Sequence, residues 1–196
     1  LATKPKSKTG PNLKAHPSTI NTLKYAGFNL LTLANNHILD YGYNGLKDTL
    51  DICDSNGINT VGAALINDDV DKPFQTIIHG KKISIVSVAE NEWSTSKSNG
   101  NYGASSLNPV TNFRVIKRSK LDSDYVIVVV HGGHEMYSLP SPRMKDLFRF
   151  YIESGADAVI CHHSHCFSGY EIFKGKPIFY SLGNFYFDTI GFQDKS

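Results

Sequence analysis

From Ser18 onward apolar positions recur at helical spacing. Ile20, Leu23 and Ala26 share one side, Gly27 is placed to end the helix, and residues 29–33 (NLLTL) then form a short continuous apolar run of the kind that makes a buried strand. The alternation repeats after a polar loop at residues 34–45. Leu46, Leu50 and Cys53 mark a second helix that Gly57 can terminate, and residues 58–61 (INTV) follow as a strand. Strand–helix–strand alternation implies a mainly parallel sheet covered by helices. Two apolar runs, residues 74–78 and 83–88, flank His79-Gly80-Lys81-Lys82 and predict a hairpin, which makes the sheet mixed. Residues 90–107 are rich in Ser, Asn and Gly and predict a long surface loop. Asn108 with Pro109 is a cap and first-turn signal for a helix carrying Val110, Phe113 and Ile116. That helix leads into the strongest strand, residues 125–130 (YVIVVV), expected at the centre of the sheet. Ser141 and Pro142 open a further helix that Gly155 closes, residues 158–160 give the next buried strand, and YEIF, KGKP and IFYS make a final hairpin.

Composition narrows the picture. At 196 residues with 40% hydrophobic content the chain can bury one sizeable core, so residues 1–196 are expected to form a single domain. A net charge of +2, with both signs scattered, gives no basic stripe for a nucleic-acid backbone, and nucleic acid is not an expected partner. Three cysteines cannot all pair, and Cys53 lies on the apolar face of its helix, so no disulfide framework is expected. No apolar run approaches the roughly 20 residues of a membrane span. The chain opens on Leu1 in a Lys/Pro/Gly-rich stretch, from which further sequence upstream is expected.

Three strands end alike. Leu33 is followed by Ala34-Asn35-Asn36-His37, Val130 by His131, and Ile160 by the cluster His162-His163-Ser164-His165. In open α/β sheets ligands bind beyond the carboxyl ends of the strands, so three nitrogen-rich loops point at one edge. Six of the eight histidines lie in or beside these loops, leaving His16 and His79 as surface residues. Taken singly, each segment has an ordinary reading: a satisfied loop histidine for His131, a polar turn as readily as metal binding for HHSH, and for ANNH the turn chemistry of Asn. Their common position is what points to chemistry. Imidazole suits borderline divalent metals, with an Asn amide oxygen joining it. A two-metal site, with ions roughly 3.5–4 Å apart, clamps an in-line displacement at phosphorus, which makes phosphoester hydrolysis the natural reaction. His131-Gly132-Gly133-His134-Glu135 has neither the HExxH nor the HxxEH order of zinc proteases. Cys161 and Cys166 bracket the histidine cluster and could serve a structural zinc, but Cys161 continues an apolar strand and is expected to face the core.

These segments resemble those of a known family. Residues 23–63, built on an ANNHxxDxG core, are similar to a block of the CapA (PgsA) capsule and poly-γ-glutamate synthesis family. VVVHGGHEMYSLPSP resembles its HWGxE block, and SGADAVICHHSHCFSGYEIFKGKPIFYSLGNFYFD its GAD, HHPH and YSLGNF blocks. The resemblance implies a calcineurin-like metallophosphatase fold, an α/β arrangement of mixed sheet layers flanked by helices in four layers, incomplete at the N-terminus. It implies two divalent ions (Mn, Zn or Fe), with Asn36 as amide ligand, His131 and His163 on one ion and His165 on the other. His37 becomes general acid or transition-state stabiliser and Asp40 its orienting partner. Glu135, Asn184 and Arg143 are candidates for substrate contact, Arg143 through bidentate binding of a phosphate or carboxylate. The expected partners are components of a polymer synthase complex and an anionic polymer or phosphoester. The expected location is bacterial and extracytoplasmic, tethered through upstream sequence. The family's Gly-Asp strand end and Asn-Leu-Glu block, which supply carboxylate ligands, are absent before Leu23, and Ser164 replaces the Pro of HHPH. Two rival roles follow: a non-catalytic assembly or anchoring subunit that keeps the fold, and a carbohydrate or peptidoglycan binding module.

Overall fold

Tyr125–His131 (β7) carries the longest buried alternation in the chain: Val126, Val128 and Val130 are fully buried on one face, while Ile127, Val129 and His131 are half-buried on the other. A strand that is apolar on both faces belongs inside a sheet, and β7 lies there. In this computed structural model, residues 4–8, 10–66, 70–90, 93–95 and 102–185 are described. β7 is flanked by Lys81–Ala89 (β5) and Ala158–His162 (β8), both parallel to it. Lys176–Phe179 (β10) extends the parallel set beyond β8. Phe74–Ile78 (β4) and Tyr170–Phe173 (β9) close the two edges antiparallel, giving the order β4-β5-β7-β8-β10-β9. The sheet is mixed, as the two hairpins predict.

Helices Pro109–Asp122 (α3) and Pro142–Ser154 (α4) cover one face. Asn108 caps α3 by accepting from the amides of Val110 and Thr111, and Ser141 caps α4 by accepting from Met144 N. The main core joins Ile116 of α3, with Phe148, Tyr151 and Ile152 of α4, to the valines of β5 and β7, Val159 and Cys161 of β8, and Ile178. Each such fully buried side chain contributes about 2 kcal/mol. Val110, predicted on the buried face of α3, is exposed, because the face that meets the sheet passes through Asn112, Ile116 and Ser119.

The opposite face receives a smaller unit. Leu30–Thr32 (β1) and Asn59–Val61 (β2) form a separate two-stranded parallel sheet, connected by Gly42–Ser55 (α2) and preceded by Thr19–Tyr25 (α1). Three readings are corrected here. The first strand does not share a sheet edge with β7 and β8, since alternation of elements shows that strands are parallel but not which of them pair. The first hairpin turns on His79-Gly80 alone, both with positive φ, so Lys81 and Lys82 belong to β5. The stretch 90–107 is no simple surface loop. Ser94, Thr95, Ala104, Ser105 and Ser106 are buried, and Gly103–Ala104 (β6) pairs antiparallel with Ala63–Ala64 (β3). Residues 91–92 and 96–101 of that stretch lie outside the described residues.

Candidate metal centre

His131 is the last residue of β7, on the face turned away from the large core, and pairs in register with His162. β8 therefore runs two residues further than predicted. The chain then turns at His163, whose φ of +102° lies where side chains are strained, and again at His165, at +60°. A non-glycine residue held so costs about 1–3 kcal/mol, and such strain gathers at functional sites. The result is a convergence. His131 Nε2 lies 3.1 Å from Asn36 Oδ1 and 3.1 Å from His163 Nδ1, and the two imidazole rings are 4.8 Å apart, centre to centre. Asn36 reaches this point from the smaller sheet, at the end of the loop that leaves β1.

One hydrogen on His131 Nε2 cannot serve both neighbours well, whereas a cation can accept lone pairs from all three. Two ligand atoms about 2.1 Å from one ion, subtending 90–110°, lie about 3.0–3.4 Å apart, and the observed separations fall in that window. Burial, with the neighbouring His163, pulls the His131 pKa down to about 3, so the ring is the neutral imidazole that a metal needs. His162 is lowered as well, again by burial. The donor set is nonetheless short of anions: among the described residues no group of three or more His, Cys, Asp or Glu side chains is arranged to hold a metal ion.

His37 and Asp40 form a second group. His37 Nδ1 lies 2.7 Å from Asp40 Oδ2, which also accepts from the Leu13 amide at 2.6 Å. Asp40 Oδ1 takes the Lys8 ammonium at 2.5 Å, and Lys8 Nζ is 3.2 Å from His37 Nδ1. A carboxylate only accepts, so the hydrogen between ring and carboxylate sits on Nδ1 and leaves Nε2 of His37 with its lone pair. Asp40 is 1% exposed. Lys8 also stands over the Trp93 ring, 4.9 Å from its centre. Lys8 escaped the sequence reading because it lies in a polar stretch with no periodicity, and no local signal pairs it with a residue 32 positions away. A cavity of about 250 Å³ adjoins His37, walled by Leu13, Ile20, Tyr41 and Ile52.

The other candidates spread outward. His165 stands beside His163, its ring centre 6.1 Å away, with Nδ1 2.9 Å from Asn184 Oδ1. Glu135 Oε1 is 3.8 Å from His163 Nε2. Arg143, 62% exposed, gives its guanidinium to Glu90. Burial raises the Glu90 carboxyl, but the Gly133 amide and Arg143 outweigh it and hold the group below its ordinary range. Cys161 is fully buried in the main core, as its place in an apolar strand predicts, and that burial pushes its thiol up to about 12.

Comparison with known proteins addresses the family and the fold. The chain is 33% identical over 182 residues to the capsule biosynthesis protein CapA of Bacillus anthracis and 32% identical over 183 residues to the PGA biosynthesis protein CapA of Bacillus subtilis. Each match covers 90% of this chain, and it spans 44% and 47% of those relatives' lengths. Among solved structures, the NAD nucleotidase of Haemophilus influenzae superposes with a TM-score of 0.52 at 15% identity, covering 85% of this chain and 36% of that one. The likeness shows a metallophosphoesterase-like fold. The model of the family described as bacterial capsule synthesis protein PGA_cap matches residues 1–189, and to that family the chain belongs.

Proposed function

We propose that this chain carries the metal-binding, phosphoesterase-like part of a capsule or poly-γ-glutamate biosynthesis protein. The observation that carries the reading is that Asn36 Oδ1 and His163 Nδ1 each lie 3.1 Å from His131 Nε2, a separation suited to ligands of a shared cation. Those three atoms would hold a divalent ion (Mn, Zn or Fe), and His165, steadied by Asn184, would serve a second. Bound there, the ions would supply positive charge at a phosphoryl oxygen and a water acidic enough to attack at neutral pH. The chain's own contribution is orientation and proton handling. Lys8, Asp40 and Leu13 N fix the His37 ring so that Nε2 is available to exchange a proton with a leaving oxygen. Arg143 offers an exposed guanidinium to an anionic group of the polymer or phosphoester. The proposal extends to the full-length protein, which acts outside the cytoplasm with components of a polymer synthase complex as partners.

The test uses full-length protein loaded with Mn²⁺, Zn²⁺ or Fe²⁺ and the general substrate bis(p-nitrophenyl) phosphate. Hydrolysis that Asn36→Ala abolishes, together with lost metal, is the expected result. No hydrolysis with any ion, and metal content unchanged in Asn36→Ala, overturns it. Among the described residues no carboxylate completes the donor set, which favours a second reading, a non-catalytic assembly subunit. In that case polymer production lost on deletion is restored by a His37→Ala copy, and failure of that rescue counts against it.

A further inference from the structure

We infer that Glu90, a residue outside the proposed ligand set, is the positioning residue that aims His131 at His163. The inference rests on the metal-centre reading for its function but on independent contacts for its geometry. Glu90 directly follows β5 and braces the turn leaving β7 on both sides of Gly132, at His131 and at Gly133. Its amide donates to His131 O at 2.9 Å. Its Oε2 accepts the Gly133 amide at 2.8 Å, and its Oε1 accepts the Arg143 guanidinium. Between these, Gly132 makes the room: a Cβ there would lie 3.1 Å from both Cβ and Oε2 of Glu90. Gly133 has a φ of +107°, open to glycine, and a Cβ on it would press on Met144 Sδ and Cε at 3.1 Å. The two glycines after His131 are therefore the seat of one carboxylate.

The consequence reaches the histidines through the backbone. Gly132 N donates to His162 O at 3.1 Å, and Met136 N to Ser164 O at 2.8 Å, so the turn that Glu90 holds is hydrogen-bonded on both sides of His163. Arg143 ties the same carboxylate to the first turn of α4. Release of Glu90 frees the direction in which β7 delivers His131 while leaving the core valines of β7 untouched.

Calorimetric titration of Mn²⁺ into full-length wild type, Glu90→Gln and Glu90→Ala decides the matter, with thermal unfolding of each run alongside. Removing such a supporting partner weakens metal binding about 10–100-fold, the loss expected for Glu90→Ala. Glu90→Gln keeps a carbonyl acceptor for Gly133 N–H and recovers part of that loss. Equal affinity in all three proteins overturns the inference while leaving the metal reading intact. Where wild type itself takes up no Mn²⁺, Zn²⁺ or Fe²⁺, the metal reading fails instead, and NMR of the metal-free protein takes over. Glu90→Ala then shifts the imidazole signals of His131 and His163 and leaves those of His16 and His79 in place; unmoved His131 and His163 signals sink the inference. If Glu90→Ala does not fold, Glu90→Gln carries the same comparison, and wild-type affinity and ring signals in it are the overturning result.

Discussion

Asp40 is a sharp point of attack because its two oxygens accept from three donors in a space with almost no solvent: Lys8 Nζ at 2.5 Å, Leu13 N at 2.6 Å and His37 Nδ1 at 2.7 Å, with the residue 1% exposed. Asp40→Asn keeps the shape but turns one acceptor into an NH₂ donor. Whichever way the amide is turned, that donor faces another donor. It meets the Lys8 ammonium in one orientation, and the Leu13 amide and His37 ring in the other. Breaking a buried ionic pair from one side costs about 3–5 kcal/mol. For a chain of this size 1 kcal/mol moves Tm by roughly 2–4 °C, so a fall of about 6–20 °C is expected. Lys8→Met alone leaves a buried carboxylate with two donors and costs less. The double variant removes the mismatch, and the cycle should show a coupling of about 1–3 kcal/mol between the two sites. Denaturant unfolding of the four proteins measures it. A Tm for Asp40→Asn within 2 °C of wild type, or additive single effects, refutes the view that Lys8 and Asp40 form one unit behind His37.

In metal-free protein, the His131 pKa, lowered from about 6.5 in the unfolded chain to about 3 by burial and His163, means that the unfolded state binds the extra proton between those values. Stability is then full above pH 6.5 and declines as pH falls toward 3, by at most about 5 kcal/mol at 1.36 kcal/mol per unit. Urea unfolding should show a shallower decline in His131→Gln, and equal slopes would contradict it. Tyr151→Phe strips the hydroxyl that donates to Asn112 Oδ1 at 2.6 Å in the core and strands that buried oxygen, for a loss of about 1–3 kcal/mol by chemical denaturation. Gly62→Ala, at a φ of +88°, drives a methyl to 2.7 Å from Ser87 and 2.9 Å from Ala34. Both stability, by about 1–3 kcal/mol, and metal uptake should drop, and wild-type metal content in a destabilised Gly62→Ala would separate the seam from the site.

Period and punctuation carried much of the fold into view. The helices from Pro109 and Pro142 begin at Asn108 and Ser141, whose side chains accept first-turn amides, and Gly27, Gly57 and Gly155 follow their helices with positive φ. The candidate site was legible where it consists of strand ends, because a run such as YVIVVVH must stop where its apolar face stops. It was illegible where a polar partner comes from a distant, aperiodic segment. Lys8 and Glu90 are such partners, each held by contacts 29 or more positions along the chain.

Asn36, in the loop that leaves one sheet, comes within 3.1 Å of His131 on another. Side chains at the junction are small: Ala34, Ala89 and Ala104 form a buried cluster, and Gly62 sits where any Cβ would strike Ser87 and Ala34. Ser105 then stitches the two units, its amide donating to Gly62 O and its carbonyl accepting from Ala89 N, each at 2.8 Å, while Ser94 Oγ donates to Asn35 O at 3.0 Å, next to Asn36. Larger residues at these positions would satisfy the same hydrophobic pattern and hold the sheets apart by the width of a methyl or more. A polar, glycine- and serine-rich stretch that reads as solvent-facing loop is thus the material of a close inter-sheet seam, since small side chains with hydroxyls can be buried when the backbone around them is paired. Composition describes both situations identically; only the partner strand, Ala63–Ala64, distinguishes them. The distance between Asn36 and His131 is accordingly set by residues outside the proposed ligand set, and the seam determines the candidate centre as much as the proposed ligands do.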